Sequence, residues 1–213
     1  RVRLVVDGPS PEHELVLRAR LASQAPDIQF AQSLGQVLLG INLKCASCHD
    51  SFISDWKLSD AYAFANIFSD STLEINRCDK PTGEFAGTKV IFEELGQIDT
   101  TLSVEEKLEQ LADFLTAPKN GRLYRTIVNR MWAQLMGRGI VAPVDLMDNE
   151  PWSQDLLDWL ASDFVENDHN IKDLLYTIAT SKSYQLPSVG IKDENDIIAA
   201  DYKFRGMHRR RLS

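Results

Sequence analysis

Apolar positions recur at helical spacing over much of the chain. Gln29–Leu39 carries Phe30, Leu34, Val37 and Leu38 at 3.6-residue spacing, which predicts a helix terminated by Gly40. Ser59–Phe68 predicts a second, with Ser59 as N-cap and Tyr62, Phe64, Ala65 and Phe68 on one face. Ser103 and Glu106 form a capping box that opens a third, with Val104, Leu108, Leu111, Ala112 and Leu115 turned inward. Arg122–Leu135 repeats the pattern with Leu123, Ile127, Val128, Met131, Trp132 and Leu135, and Gly137-Arg138-Gly139 closes it. Ser153–Val165 brings in Leu156, Leu157, Trp159, Leu160 and Phe164; Ile171–Thr180 brings in Leu174, Leu175 and Ile178. These last four helices, joined by short connections, read as a compact bundle.

The remaining segments follow other patterns. Arg1–Val6 alternates like a strand, Asp7–Pro11 is turn-like, and Glu12–Ala22 has the spacing of a helix. Residues 69–102 lack helical periodicity. Within them Cys78–Glu84 reads as a loop and Thr88–Phe92 as a short strand. A stretch of this length without helical periodicity marks a domain boundary or a wrapping loop.

Charge and hydropathy narrow the function classes. The 213 residues carry 23 Lys and Arg against 31 Asp and Glu, a net charge of −8. That balance excludes a general nucleic-acid binder, which needs a basic face for the phosphates. The longest apolar candidate for a membrane span, Val37–Leu43, is far shorter than the ~18 residues required and contains Gly40 and Asn42. The chain does not begin with Met, and Ser213 stands where an N-cap would open a new helix. Both ends read as cuts within a longer protein, so the lack of a leader sequence carries no information about compartment.

The three cysteines are too few for a disulfide scaffold. Two of them lie in Cys45-Ala46-Ser47-Cys48-His49, a C-x-x-C-H pattern expected about 0.001 times by chance at this composition. It is the attachment pattern of c-type haem. Two thiols on one helical turn reach the two porphyrin vinyl groups, and the adjacent His falls under the iron as proximal ligand. A disulfide, a redox dithiol and another metal site also use C-x-x-C. A zinc ribbon lacks its second ligand pair here, and Gly40–Lys44 makes a poor strand for a thioredoxin-like site. The phosphate loop, the G-x-S-x-G elbow and H-E-x-x-H are all absent from the sequence.

Two stretches resemble a known family. The first runs from Val37-Leu38-Leu39-Gly40 through Cys45–Asp50 to Trp56 and Asp60-Ala61-Tyr62. The second comprises Arg125–Trp132, Met136–Val141, Pro143-Val144-Asp145, Leu156–Ala161 and Thr180–Gln185. Together they look like the paired planctomycete cytochrome-C-type domains, a C-x-x-C-H domain followed by a helical domain of unknown function. The resemblance implies a large secreted or periplasmic bacterial protein. Many members of that family continue the motif with x-H-P-F, whereas Asp50-Ser51-Phe52 follows here. Ser51 stands in place of the second His, so no role for that residue carries over.

The reading that results is a mainly α chain. Residues 1–100 form the cytochrome-c-type domain, a fragment at its start. Residues 101–213 form the helical domain, truncated at its end, and a long irregular loop joins the two. Covalent haem c is the expected cofactor, with thioethers at Cys45 and Cys48 and His49 as axial iron ligand. Candidate sixth ligands are His13, His169, His208, Met131, Met136, Met147 and Met207. Leu38, Leu39, Leu43, Phe52, Trp56 and Tyr62 are expected to line the porphyrin. Cys78, without motif context, is expected to be a free and partly buried thiol, or a bridge to a missing segment. The expected activity is electron transfer or haem holding in a larger redox assembly, with other redox or cell-surface proteins as partners. The expected location is the periplasm or cell surface.

The competing reading is an extracellular binding or assembly module, with polysaccharide as the ligand class considered and with Cys45 and Cys48 bridged to each other. Its stacking candidates are Trp56, Trp132, Trp152 and Trp159, of which Trp152 is the best exposed candidate and Trp132 and Trp159 fall on apolar helix faces. Asp145, Asp148 and Glu150 are the acidic candidates for an enzyme. Asn129 and Arg130 are expected to tie nearby loops, with Arg130 paired to Asp145 or Asp158.

Overall fold

The structure is a computed structural model, and it describes residues 25–78 and 80–187. The strand, turn and helix expected before residue 25 lie outside the described residues, as do His13, Met207 and His208. Within them the chain is mainly helical. Helix α1 covers 25–34 and widens into a π turn, Gly35–Leu39. Then come α2 (Leu58–Ala65), a hairpin of β1 (Glu74–Arg77) and β2 (Lys80–Phe85), and a 3₁₀ turn at Glu93–Leu95. Four helices complete the order: α3 (Val104–Thr116), α4 (Gly121–Met136), α5 (Gln154–Glu166) and α6 (Ile171–Thr180). No helix among the described residues is long and apolar enough to cross a membrane. The chain forms two compact units, one of residues 1–34 and 43–114, the other of 35–42 and 115–213.

In the first unit α2 is the buried element. Leu58, Ala61, Tyr62, Ala63, Phe64 and Ala65 are all in the core. Its N-terminus is not capped by Ser59, as the sequence suggests. Carboxylates do that work: Asp60 accepts from the Lys57 N–H and Asp50 accepts from the Leu58 N–H, both at 3.0 Å. The helix stops at Asn66, whose buried amide becomes the hub of the unit. Its Oδ1 accepts from the Leu73 N–H at 2.9 Å, and its Nδ2 donates to the carbonyls of Ala86 and Gly87 and to the Thr88 hydroxyl. Residues 80–85, read from sequence as loop, instead form β2, paired antiparallel to β1 with an irregularity between Glu74 and Asn76. All of β2 is exposed, which is how a strand tolerates Pro81 and Gly83 at an unburied edge. Thr88–Phe92 is irregular rather than a strand.

Helix α3 opens on the expected capping box, with Ser103 and Glu106 exchanging hydrogen bonds. Its buried face differs from the expected one. Lys107, Leu111 and Leu115 are inside, while Leu108 and Ala112 are exposed. The Lys107 stem is covered, and its ammonium donates to the Ser69 carbonyl at 3.2 Å. From Val104 to Phe114 this helix belongs to the first unit, so the expected bundle of four helices consists of α4, α5 and α6.

In the second unit α4 lies against both α5 and α6, around Val128, Trp132, Met136, Leu157, Leu160, Phe164, Leu174 and Ile178. Trp159, expected inside, is 55% exposed. The buried stripe of α5 is Leu157, Leu160, Ala161 and Phe164, and position 159 lies about 100° away from Leu160 around the helix. Trp152, expected to be the exposed tryptophan, is half-buried: its indole N–H donates to the Gly139 carbonyl and its ring lies 6.2 Å from that of Trp132.

The π turn alters the expected face of the first described helix. A wider turn rotates the residues within and after it, so Leu39 is buried while Val37 is exposed; Phe30, earlier in α1, is exposed as well. It also leaves carbonyls at the end of a helix in need of donors. Arginines of α4 supply them. Arg122 Nε donates to the Leu39 carbonyl at 2.7 Å, Arg130 Nη2 donates to the Gln36 carbonyl at 2.7 Å, and Arg130 Nη1 donates to the Val37 carbonyl. The same two side chains hold Asp148 at 2.6 Å and Asp145 at 2.8 Å, and Arg125 holds Asp158. Arg130 therefore pairs with Asp145, one of its two expected acids. Asn129 donates to the carbonyls of Val141 and Val144 and accepts from the Val141 N–H. Gly40 ends the turn at φ +59, and a Cβ there would sit 2.4 Å from Met147 Cγ.

Two stability predictions follow. Gly40→Ala should cost about 2 kcal/mol or more, since it adds left-handed strain to a steric clash. Arg130→Ala should cost about 2–3 kcal/mol, since it strips one carboxylate and two carbonyls of a charged donor. Both losses are read as a lower urea midpoint at unchanged m-value. Asp158 gives a smaller, pH-dependent contribution. Burial raises its pKa, but hydrogen bonds from Arg125 and Gln154 outweigh that and hold the carboxyl below the usual range. Its contribution is present above the unfolded carboxylate pKa and is lost as pH falls through the lower folded value. At 41% side-chain exposure the gain is under about 1 kcal/mol. Asp158→Asn should flatten the acid limb of stability against pH by that amount.

Candidate functional site

The C-x-x-C-H segment is a single helical turn. The Ser47 N–H bonds to the Leu43 carbonyl at 2.9 Å, and the N–H groups of Cys48 and His49 both bond to the Cys45 carbonyl at 3.1 Å. This places Cys45 and Cys48 three residues apart on one face. Ala46 and Ser47 are buried on the other side, so the turn is anchored there while Cys48 is exposed and Cys45 partly so. Gln32 of α1 completes the anchor: its amide donates to Ser47 Oγ at 2.6 Å, and Ser47 Oγ donates in turn to the Lys44 carbonyl at 2.9 Å. Neither cysteine is in a disulfide.

His49 is oriented by its neighbours. Its Nδ1–H donates to the Asp50 carbonyl at 2.7 Å. A carbonyl can only accept, so the proton resides on Nδ1 and Nε2 presents a lone pair. Phe52 lies against the ring, with centroids 4.8 Å apart. Asp50 thus has two functions in one residue: its carbonyl sets the imidazole tautomer, and its carboxylate caps α2. Ser51 organises the loop beyond. Its Oγ accepts from the Ile53 N–H and from the Ser54 hydroxyl, and its N–H bonds to the Trp56 carbonyl at 2.9 Å.

The surroundings differ in part from the expected porphyrin wall. Phe52 is 89% exposed and Trp56 is half-buried, 6.0 Å from Phe92. Leu43 and Tyr62 are core residues of the first unit, with the Tyr62 hydroxyl donating to the Asn76 carbonyl. Leu38 and Leu39 belong to the second unit and pack there. Among the described sixth-ligand candidates, Met131, Met136 and Met147 pack in the core of that unit. His169 lies between the rings of Tyr124 and Phe164. Asp145 and Asp148 are engaged by arginines, and Glu150 is exposed on the same loop.

The residue that sequence reasoning placed wrongly is Cys78. It stands at the turn between β1 and β2, and its N–H donates to the Cys48 carbonyl at 2.8 Å. Its thiol is free and exposed rather than partly buried, because the hairpin turn faces solvent. Burial pushes the Cys48 thiol up, the charge of Cys78 adds to this more than that of Cys45, and a hydrogen bond with Ser47 opposes it. The hydrogen bond to Cys48 is a contact between segments far apart in sequence, and no local pattern announces it. No group of three or more His, Cys, Asp or Glu side chains among the described residues is arranged to hold a bare metal ion. The donor set does suit covalent haem attachment, which asks for two accessible thiols on one turn and an imidazole with a free nitrogen.

Comparison with known families gives two matches. Residues 12–72 match the family described as PSCyt2, protein of unknown function (DUF1549), and residues 108–213 match PSD1, protein of unknown function (DUF1553). The motif turn and α2 fall inside the first match, and α4 to α6 inside the second. Cys78 lies in neither. No curated protein and no solved structure matches the chain significantly.

The role of Asp50 is open to test. Asp50→Ala keeps the carbonyl that His49 uses and removes the cap on α2. It should lower stability by about 1 kcal/mol. In a spectrum of the imidazole nitrogens the Nδ1-protonated form should persist, because its acceptor is main chain.

Proposed function

We propose that the chain is a haem c module of a secreted bacterial protein, serving electron transfer or haem holding in a larger redox assembly. The observation that carries this reading is the His49 geometry. Nδ1–H is tied to a backbone carbonyl at 2.7 Å beside a turn that presents two cysteines on one face, neither in a disulfide. A ligating His generally donates its other ring N–H in this way, which fixes the tautomer and raises ligand basicity. Cys45 and Cys48 would hold the porphyrin through thioethers and His49 would ligate iron through Nε2. When bound, haem c supplies a reversible one-electron change at iron.

The protein's own residues supply the rest. Gln32 and Ser47 hold the turn, Asp50 fixes the imidazole, and Phe52 covers one side of its ring. Covalent haem attachment belongs outside the bacterial cytoplasm, so periplasm or cell surface is the proposed location, with redox or cell-surface proteins as partners.

The test is expression in a host that attaches haem covalently outside the cytoplasm. The purified protein should show a Soret band that survives acid-acetone extraction, and the double variant Cys45→Ser/Cys48→Ser should lose it. A colourless product with Cys45 and Cys48 bridged would overturn the reading and favour an extracellular binding module.

A further inference from the structure

Cys78 is the thiol that thioether chemistry leaves over, and the fold does not leave it far away. Its N–H···O bond to the Cys48 carbonyl, at 2.8 Å, brings the two main chains together. One N–H···O bond leaves the two Cα atoms roughly 4.5–6.5 Å apart, which overlaps the ~4.4–6.8 Å span that disulfides occupy. Both cysteines are exposed and neither is in a disulfide, so a reagent in solution can reach either. Cys78 also adopts φ +58, a conformation that Gly or Asn fills more readily. Cys45, the sequence neighbour that C-x-x-C would nominate as partner, has its carbonyl bonded within the motif turn and its side chain partly buried.

We propose that Cys48 and Cys78 form a thiol–disulfide exchange pair, which a low-molecular-weight disulfide closes whenever Cys48 carries no other covalent group. The Cys48 thiolate attacks one sulfur of the incoming disulfide, forming a mixed disulfide and releasing one thiol. The Cys78 thiolate then attacks the Cys48 sulfur and releases the second thiol. Two protein thiols lose two electrons and two protons, and the reagent disulfide gains them. The link to haem rests on the reading above: a closed Cys48–Cys78 bond withholds one of the two attachment thiols. Cys78 would then gate the chain's readiness for haem by local redox poise.

The experiment uses the full chain, prepared haem-free and reduced, then exposed to oxidised glutathione, blocked with N-ethylmaleimide and mapped by peptide mass spectrometry. Two of the three thiols should be lost to alkylation, with the Cys48 and Cys78 peptides linked and Cys45 alkylated. Cys78→Ser, checked for native circular dichroism, should abolish the linked product. A dominant Cys45–Cys48 link, or three cysteines alkylated or glutathionylated without an intrachain bond, would overturn the proposal. Because the sample never meets haem, a linked pair in a protein that fails to take up haem would sink only the haem reading. A haem-binding protein without the link would sink only this one.

Discussion

A helix that widens into a π turn strands its last carbonyls, and in this chain that happens just before the motif. Arg122 and Arg130 answer for Gln36, Val37 and Leu39. An arginine can do this and still bind a carboxylate because its guanidinium is a rigid fork with donors on several edges. Each of these two side chains is therefore a joint of three parts: the π turn, helix α4, and the loop that carries Asp145 or Asp148. A lysine would bring one point charge and could not span the set. Gly40 adds the steric condition, since the left-handed turn and the nearness of Met147 both exclude a side chain. The acidic residues of 145–148 are absorbed by this framework, and for that reason they are poor candidates for acid–base chemistry.

The motif turn shows the same economy in the first unit. One residue, Asp50, meets two needs with different atoms, and Ser47 links Gln32 to the start of the turn. The residues that orient the imidazole and hold the motif turn are thereby tied to helices α1 and α2. This is the arrangement that a ligand set needs if its geometry is to exist before the ligand arrives. Ser51 fits this economy, because its hydroxyl closes the short loop 51–56 through local hydrogen bonds.

The sequence made legible what depends on local pattern. The helices over 122–135, 153–165 and 171–180 were recoverable from spacing, and the Ser103–Glu106 box from its signature, since each is written in a window of a turn or two. The Arg130–Asp145 pair followed from the polar edge of an apolar stripe. What sequence hid depends on distant contacts. In the hairpin β2 is exposed throughout and β1 buries two adjacent residues, Ile75 and Asn76, so neither strand shows an alternating pattern and 80–84 look like a loop. Lys107 is inside because Ser69 offers it a carbonyl, and Trp159 is outside because its helix turns a neighbouring stripe inward. The three site residues Cys45, Cys48 and His49 were visible in the motif, whereas Gln32, the second function of Asp50 and the approach of Cys78 were not.

That last contact changes what the motif means. A C-x-x-C-H pattern read alone offers a choice between haem on two thiols and a bridge between them. With Cys78 bonded through its backbone to Cys48, three thiols are present and Cys48 is common to both fates. Cys45 and Cys48 share a turn, and Cys48 and Cys78 share a main-chain bond. On the two readings proposed above, whichever covalent bond formed first at Cys48 would exclude the other, so the order of events would be set by the oxidant and by the supply of porphyrin.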